Sequence, residues 1–297
     1  KGGYISSNLI VAVGLYQQSK IPHFAKYLPP NIHQIHSSEY KNPEKLPPGA
    51  VLIVGSGQSG SQIAEELYQH GRKVYLSVGS SGRVPRRYRG VEVTHWMEMM
   101  GYYKRLVDEL ESPKDKFASS AHGTGKNGGH TISLHQFARD GVVLLGHVKG
   151  VEGSCISLHK DLKENLAKAD LFEEDFVSEV DNYIERYHLN IPPETLPTLD
   201  DGYAVDEIPE LDLHQVGIQT IIWATGYQFD FSWIKLPVFD AEGYPIHRRG
   251  ITRSPGLYFI GLPFLHTGIS GVIAGVGPDA QFITADIKQK DRKKLMV

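Results

Sequence analysis

The run Gly55-Ser56-Gly57-Gln58-Ser59-Gly60 constrains this chain more than any other stretch of it. Ahead of it stands Ala50-Val51-Leu52-Ile53-Val54, apolar throughout, as a parallel strand covered on both faces requires. Behind it, Gln58 to Gln69 carries Ile63, Ala64 and Leu67 at helical spacing, and Gly71 supplies a C-terminal stop. Lys73 to Val78 then reads as a second strand, which completes a βαβ unit of about 30 residues. Glycines are common, so GxGxxG alone is weak, and the flanking strand and helix make it specific here. Gly55 permits the tight turn, Gly57 lets the backbone approach a pyrophosphate, and Gly60 lets helix and strand pack closely. The free N–H groups and positive dipole end of that helix face the phosphates, so Ser56, Gln58 and Ser59 join the glycines as cofactor-binding candidates.

An NAD site places Asp or Glu about 20 residues on, at the end of the second strand, to bind the ribose 2′-OH. That region here reads Ser77-Val78-Gly79-Ser80-Ser81-Gly82-Arg83-Val84-Pro85-Arg86-Arg87, without an acid. Arginine forks and serine hydroxyls suit a 2′-phosphate, so Ser80, Arg83 and Arg86 are the candidates and NADPH the expected coenzyme. A solvated basic loop is the alternative reading of that run.

Composition excludes several other classes. A net charge of -3 over 297 residues exerts no general pull on nucleic acid or an anionic membrane. Cys155 is the only cysteine, so no intrachain disulfide and no CxxC pair can form, which fits a reducing compartment such as the cytoplasm. Gly256 to Val276, the best candidate for a membrane span, is broken by Pro263, His266 and several glycines, so no span is expected. Gly123-Thr124-Gly125-Lys126-Asn127 lacks the first glycine and the final Ser or Thr of a P-loop. His33 and His36 have ligand spacing without further ligands nearby, so no metal is expected.

Elsewhere, Asn8 to Val13 reads as a buried strand ending at Gly14, and the chain begins as if in the middle of a fold. Gln17 to Pro48 reads as loop, His95 to Leu110 as helix, Ser119 to Gly129 as a glycine-rich loop and Val142 to Leu145 as strand. Asp161 to Tyr187 is a long charged helix with Phe176, Val180, Tyr183, Ile184 and Tyr187 on one apolar face. Ile218 to Trp223 is a strand running into Ala224-Thr225-Gly226, an echo of Leu9 to Gly14 that coincidence could also produce. Leu257 to Ile260 is the last strand, and Gly271 to Ile287 the closing helix.

Four stretches in this order resemble the flavin-containing monooxygenase family, especially its bacterial flavoproteins linked to heavy-metal efflux. They are Gln34 to Tyr40, Gly55 to Gly60, Trp223 to Tyr227 and Gly256 to Phe264. The family's FxGxxxHxxxY hallmark keeps His36 and Tyr40, while Pro30 stands for its Phe, Ile32 for its Gly, and Val13 for the Thr usual before Gly14. The resemblance implies an α/β protein with two Rossmann-like dinucleotide-binding domains. The FAD domain would be incomplete, because the family's first GxGxxG lies upstream of anything here. Residues 1–46 and 227–297 would be parts of the FAD-binding domain, and 47–226 the NADP-binding domain. His36, Ser37, Ala224, Thr225 and Gly226 would then line the cofactors. Gly268 and Ile269, read as the start of the last helix, would turn N–H groups toward FAD, with plain helix packing as the alternative.

The chemistry so implied runs from NADPH to FAD by hydride transfer, then to O2 and a small-molecule substrate. No catalytic residue emerges from the sequence, nor does the substrate or the oligomeric state. An NADPH-dependent flavin reductase without oxygen transfer, or a catalytically incomplete NADP-binding fragment, fits the same residues. A disulfide reductase would need the cysteine pair that Cys155 cannot supply.

Overall fold

The computed structural model describes residues 2–117 and 122–295, the last three of these by backbone alone. Lys1 and residues 119–121 of the glycine-rich run lie outside the described residues. The chain divides into two compact units: Ser19–Trp96 with Ser119–Gly226, and Lys1–Gln18 with Met97–Ala118 and Tyr227–Val297.

The first unit is built on a five-stranded, wholly parallel sheet. Its elements in chain order are β1 (His33–His36), β2 (Ala50–Val54), α1 (Gln58–Gln69), β3 (Val74–Ser77), α2 (Leu134–Arg139), β4 (Val143–Leu145), α3 (Leu162–Arg186) and β5 (Ile218–Trp223). Across the sheet the order is β1-β5-β2-β3-β4. From β2 the chain steps outward through β3 and β4, then returns to the other side of β2 as β5. That reversal makes the C-terminal ends of β2 and β5 the switch point, where open α/β sheets bind ligands.

Every residue of β2 is buried, as its unbroken apolar run requires. One face packs on α1, α2 and the start of α3 through Ile63, Ala64, Leu67, Phe137 and Leu162. The other packs on a three-stranded antiparallel sheet, Val148–Glu152, Cys155–Leu158 and Glu210–Asp212, through Ile156, Leu158 and Leu211. The sequence reading passed over that antiparallel sheet, whose strands alternate too briefly to stand out. It also read 17–48 as loop, whereas His33–His36 is β1, hydrogen-bonded along β5 in the same sheet as β2. The α1 helix spans the predicted residues and ends as predicted: Gly71 takes φ 75° and its N–H donates to Tyr68 O at 2.9 Å.

Three other expectations are corrected. The segment 95–110 is not one helix: it is helical over Val93–Met99 and continues in 3-10 turns at Tyr102–Lys104 and Val107–Glu109, with Gly101 left-handed at φ 86° between them. On the α3 face, Phe176, Val180 and Ile184 are buried but Tyr187 is 53% exposed, because the helix ends at Arg186. The strand after Asn8 is only Leu9–Val11, and Val11 alone of it is buried, Leu9 and Ile10 being about half exposed.

In the second unit Leu9–Val11 pairs in parallel with Leu257–Phe259, and Ile251–Thr252 and His247–Arg248 continue the sheet antiparallel. Its core is aromatic, with Phe231, Tyr244 and Phe259 buried and the Phe117 ring edge-on to Tyr244 at 5.3 Å. The closing helix is Val276–Leu295, not 271–287. Before it, Ser270 Oγ accepts the N–H groups of His266 and Thr267 at 3.1 and 3.0 Å, and the chain runs in turns to Gly275. A side chain at Gly275 would strike Ile269 O, so that glycine closes the turn just ahead of the helix. Among the described residues no helix is long and apolar enough to cross a membrane.

Burial, and secondarily the Lys116 ammonium, lowers the His247 pKa from 6.5 to about 4. The unfolded chain therefore takes up this proton first, and the stability contribution present above pH 6.5 is lost as pH falls toward 4. We expect the thermal midpoint to fall by about 3 °C between pH 7 and pH 5 on this account. His247→Gln should flatten that slope, which calorimetric scans of both chains at the two pH values would check.

Candidate dinucleotide site

At the switch point three backbones converge. Gly55 follows β2 at φ 102°, and a side chain there would stand 2.6 Å from Ala224 O, just past β5. A side chain at Gly60 would strike Gly55 O at 1.9 Å, so the first turn of α1 lies against the end of β2 only because neither glycine has one. Ala224 N donates to Val54 O at 2.9 Å and holds the third backbone in place. Gly57 differs from both. Its φ and ψ of -66° and -174° suit any residue, and a side chain there would meet nothing closer than Ser81 Oγ at 3.8 Å. Packing therefore demands glycine at 55 and 60, while at 57 it leaves open space beside the helix mouth.

That mouth is bare. Gly57 caps α1 with no side-chain hydrogen bond, and Ser59 is exposed. Ser56 turns inward, accepting from Gly79 N at 2.8 Å, and so ties the β2 loop to the end of β3. Gln58 turns aside: its amide accepts Gly123 N at 2.9 Å and donates to Gly123 O. An uncapped N-terminus with its positive dipole end exposed is a ready anion site.

The residues of the HxxxY motif act as a staple within this unit. His36 is fully buried; Ser38 N donates to its Nδ1 at 3.2 Å, so Nε2 carries the proton and donates to Gly226 O at 2.9 Å. Lys20 N donates to the same carbonyl, and Thr225 Oγ1 donates to Lys20 O. Ser37 N donates to Trp223 O, and Tyr40 donates to Glu66 of α1 at 2.9 Å. Burial and the Glu66 carboxylate raise the Tyr40 pKa well above the ordinary phenol range. Ile32, where the family has glycine, is a buried core residue.

The basic run is more committed than its sequence suggests. Arg83, 13% exposed, holds Asp170 at 2.8 Å and Glu173 at 2.6 Å. Arg86 and Arg87 share Glu92 at 2.8 and 2.7 Å, and Ser80 is exposed. Arg83 also lines a cavity of about 610 Å³ with Asp170, Glu173, Glu174 and Tyr203. Each guanidinium thus has its charge answered by a carboxylate of this chain.

Gly268 and Ile269 do not begin a helix, which starts at Val276. Gly268 N donates to Arg105 O, and a side chain at Gly268 would lie 2.7 Å from Tyr102 O, so the residue serves close packing in the second unit.

Sequence reasoning overlooked one group at the sheet's C-terminal edge: His147, just past β4, with Asp161 and Asn165. His147 N donates to Asp161 Oδ1 at 2.9 Å and its ring Nδ1 lies 2.6 Å from Asp161 Oδ2. Nearly every residue of the triplet sits in an unremarkable context, and the only signal was a Gly-His step ending a strand.

A parallel sheet with a glycine turn at its switch point and a bare helix mouth beside it defines a Rossmann-like dinucleotide-fold protein. The model of the pyridine nucleotide-disulphide oxidoreductase family matches residues 1–110. An uncharacterized CzcO-like oxidoreductase of Geobacillus kaustophilus is 33% identical over 288 residues, 96% of this chain and 66% of that protein. The uncharacterized oxidoreductase CzcO of Bacillus subtilis is 30% identical over 281 residues, 94% and 65%. A solved flavin-containing monooxygenase from Stenotrophomonas maltophilia shares the fold at a TM-score of 0.53 and 13% identity, over 95% of this chain and 62% of that one. Along nearly its whole length the chain is similar to these CzcO-like oxidoreductases, and it spans just under two thirds of the length of the curated relatives it matches.

Gly60→Ala should cost about 3 kcal/mol or more, since the clash is with backbone that can only shift as a unit. Gly57→Val should change stability by under about 1 kcal/mol and yet abolish coenzyme binding. Urea unfolding and coenzyme titration of the two variants would separate these outcomes.

Proposed function

We propose that this chain carries the NADP-binding part, and pieces of the FAD-binding part, of an NADPH-dependent flavoprotein oxidoreductase of the monooxygenase type. The open space at Gly57, flanked by two glycines that packing itself requires, is the observation that carries the reading. Residues 47–226 would bind NADPH, and 1–46 with 227–297 would contribute to FAD binding. The pyrophosphate would rest on the N–H groups opening α1, with the adenosine end toward the run from Ser80 to Arg86.

FAD, when bound, supplies the hydride acceptor and the reaction with O2. The work of this chain's residues is to bind and orient. The glycine loop fixes the coenzyme at the switch point, the His36–Gly226 bond holds the chain leaving β5 beside it, and the Tyr40–Glu66 bond holds the segment after β1 on α1. Oxygen transfer to a small-molecule substrate is the expected outcome, in a reducing, cytoplasmic setting that suits the lone Cys155.

Calorimetric titration of the purified chain should give a Kd for NADPH in the micromolar range and a weaker one for NADH. No heat with either coenzyme would overturn the reading. Where FAD is supplied and NADPH is consumed, recovery of oxygen in the organic product supports the monooxygenase. Consumption that yields only reduced oxygen would assign a flavin reductase.

A further inference from the structure

The parallel sheet brings its strand ends into one register: Trp223 pairs with both His36 and Val54, Val54 with Ser77, and Ser77 with Leu145. Two residues beyond Ser77 stands Gly79, and two beyond Leu145 stands His147. The two meet at the C-terminal edge: a side chain at Gly79 would lie 3.6 Å from His147 Nε2 and 3.9 Å from Ser56 Oγ. Ser56 belongs to the glycine loop. One continuous edge therefore runs from the mouth of α1, past the end of β3, to the Nε2 of His147.

The ring is built into this position. Asp161 grips His147 twice, at the backbone N–H and at Nδ1. Asn165, 3% exposed, adds its side-chain amide 3.2 Å from Nδ1 and hydrogen-bonds the Asp161 carboxylate. Gly146 permits the arrangement, since a side chain there would strike His159 O at 1.9 Å and Asp161 Oδ1 at 2.8 Å. Ser77 Oγ donates to Gly146 O and His159 N to His147 O, so both sides of the turn are pinned. The carboxylate fixes one face of the imidazole and leaves Nε2 outward on a side chain that is 46% exposed.

A dinucleotide laid on the α1 mouth puts its adenosine ribose at the end of the second strand of the βαβ unit, which here is Gly79. The arginines near that point are held by Asp170, Glu173 and Glu92. His147 is a cation-capable side chain that stands at the edge itself, its Nε2 3.6 Å from a side chain placed at Gly79. We propose that His147 reads the 2′ position of the coenzyme's adenosine ribose, its Nε2 donating to the 2′-phosphate of NADPH, with Asp161 as the positioning residue. A carboxylate on Nδ1 and a phosphate on Nε2 together hold the ring with both protons, the arrangement in which imidazole donates from both sides.

This rests on the coenzyme reading above, and the test separates the two. The probes are 2′,5′-ADP and 5′-AMP, which differ by the 2′-phosphate, alongside NADPH and NADH, all titrated calorimetrically into the whole chain. The wild-type chain should prefer 2′,5′-ADP, and His147→Gln should weaken it about tenfold while leaving 5′-AMP within about twofold. His147→Lys, which keeps a donor cation, should retain the preference, and serves as the second variant if the glutamine chain does not fold. Asp161→Asn should lower the ratio of the two affinities, whereas a merely structural role would move both equally. Equal losses for the two probes, or none, in the His147 variants would overturn the assignment of His147 and leave the coenzyme reading standing. A wild-type chain that binds neither NADPH nor NADH would overturn both.

Discussion

The approach of Gly60 to the carbonyl of Gly55 is the contact on which the first unit depends. With a separation that admits no side chain, the first turn of α1 lies directly on the end of β2. That closeness aims the helix dipole across the switch point and not along the surface. The same turn brings Gly55 against Ala224, so the loop after β2 and the strand end of β5 are one packed unit. Close packing accounts for two of the three glycines and makes no such demand at Gly57.

Around that contact the layers follow from pattern. The unbroken apolar run of β2 needs cover on both faces and receives it, helices on one and a short antiparallel sheet on the other. The HxxxY residues then make two part-buried ties: His36 holds the chain leaving β5 to the end of β1, and Tyr40 holds the segment after β1 to α1. These residues support the site from behind.

Charge is arranged less obviously. Four arginines follow β3, and each is answered by an acid from elsewhere in the unit: Asp170, Glu173 and Asp181 from α3, Glu92 from the short strand ahead of Val93. Paired guanidinium groups of this kind stabilise loop and helix against each other. They offer less to a ligand than a count of basic residues implies, because a partner must be displaced before a phosphate is bound.

The sequence by itself determined the βαβ unit, the bounds of α1, the strands at 50–54 and 218–223, the strand near 142–145, and the turn and packing roles of Gly55 and Gly60, because each rests on neighbours close in the chain. It misjudged 95–110 and the start of the last helix, where Gly101 and the Ser270 turn break a periodicity that composition alone sustains. Only the tertiary structure decided that Arg83 faces Asp170, that β1 joins the parallel sheet, and that His147 and Gly79 share an edge. Those facts join residues 68 to 187 positions apart, and no local pattern encodes a pairing that the tertiary fold alone brings about.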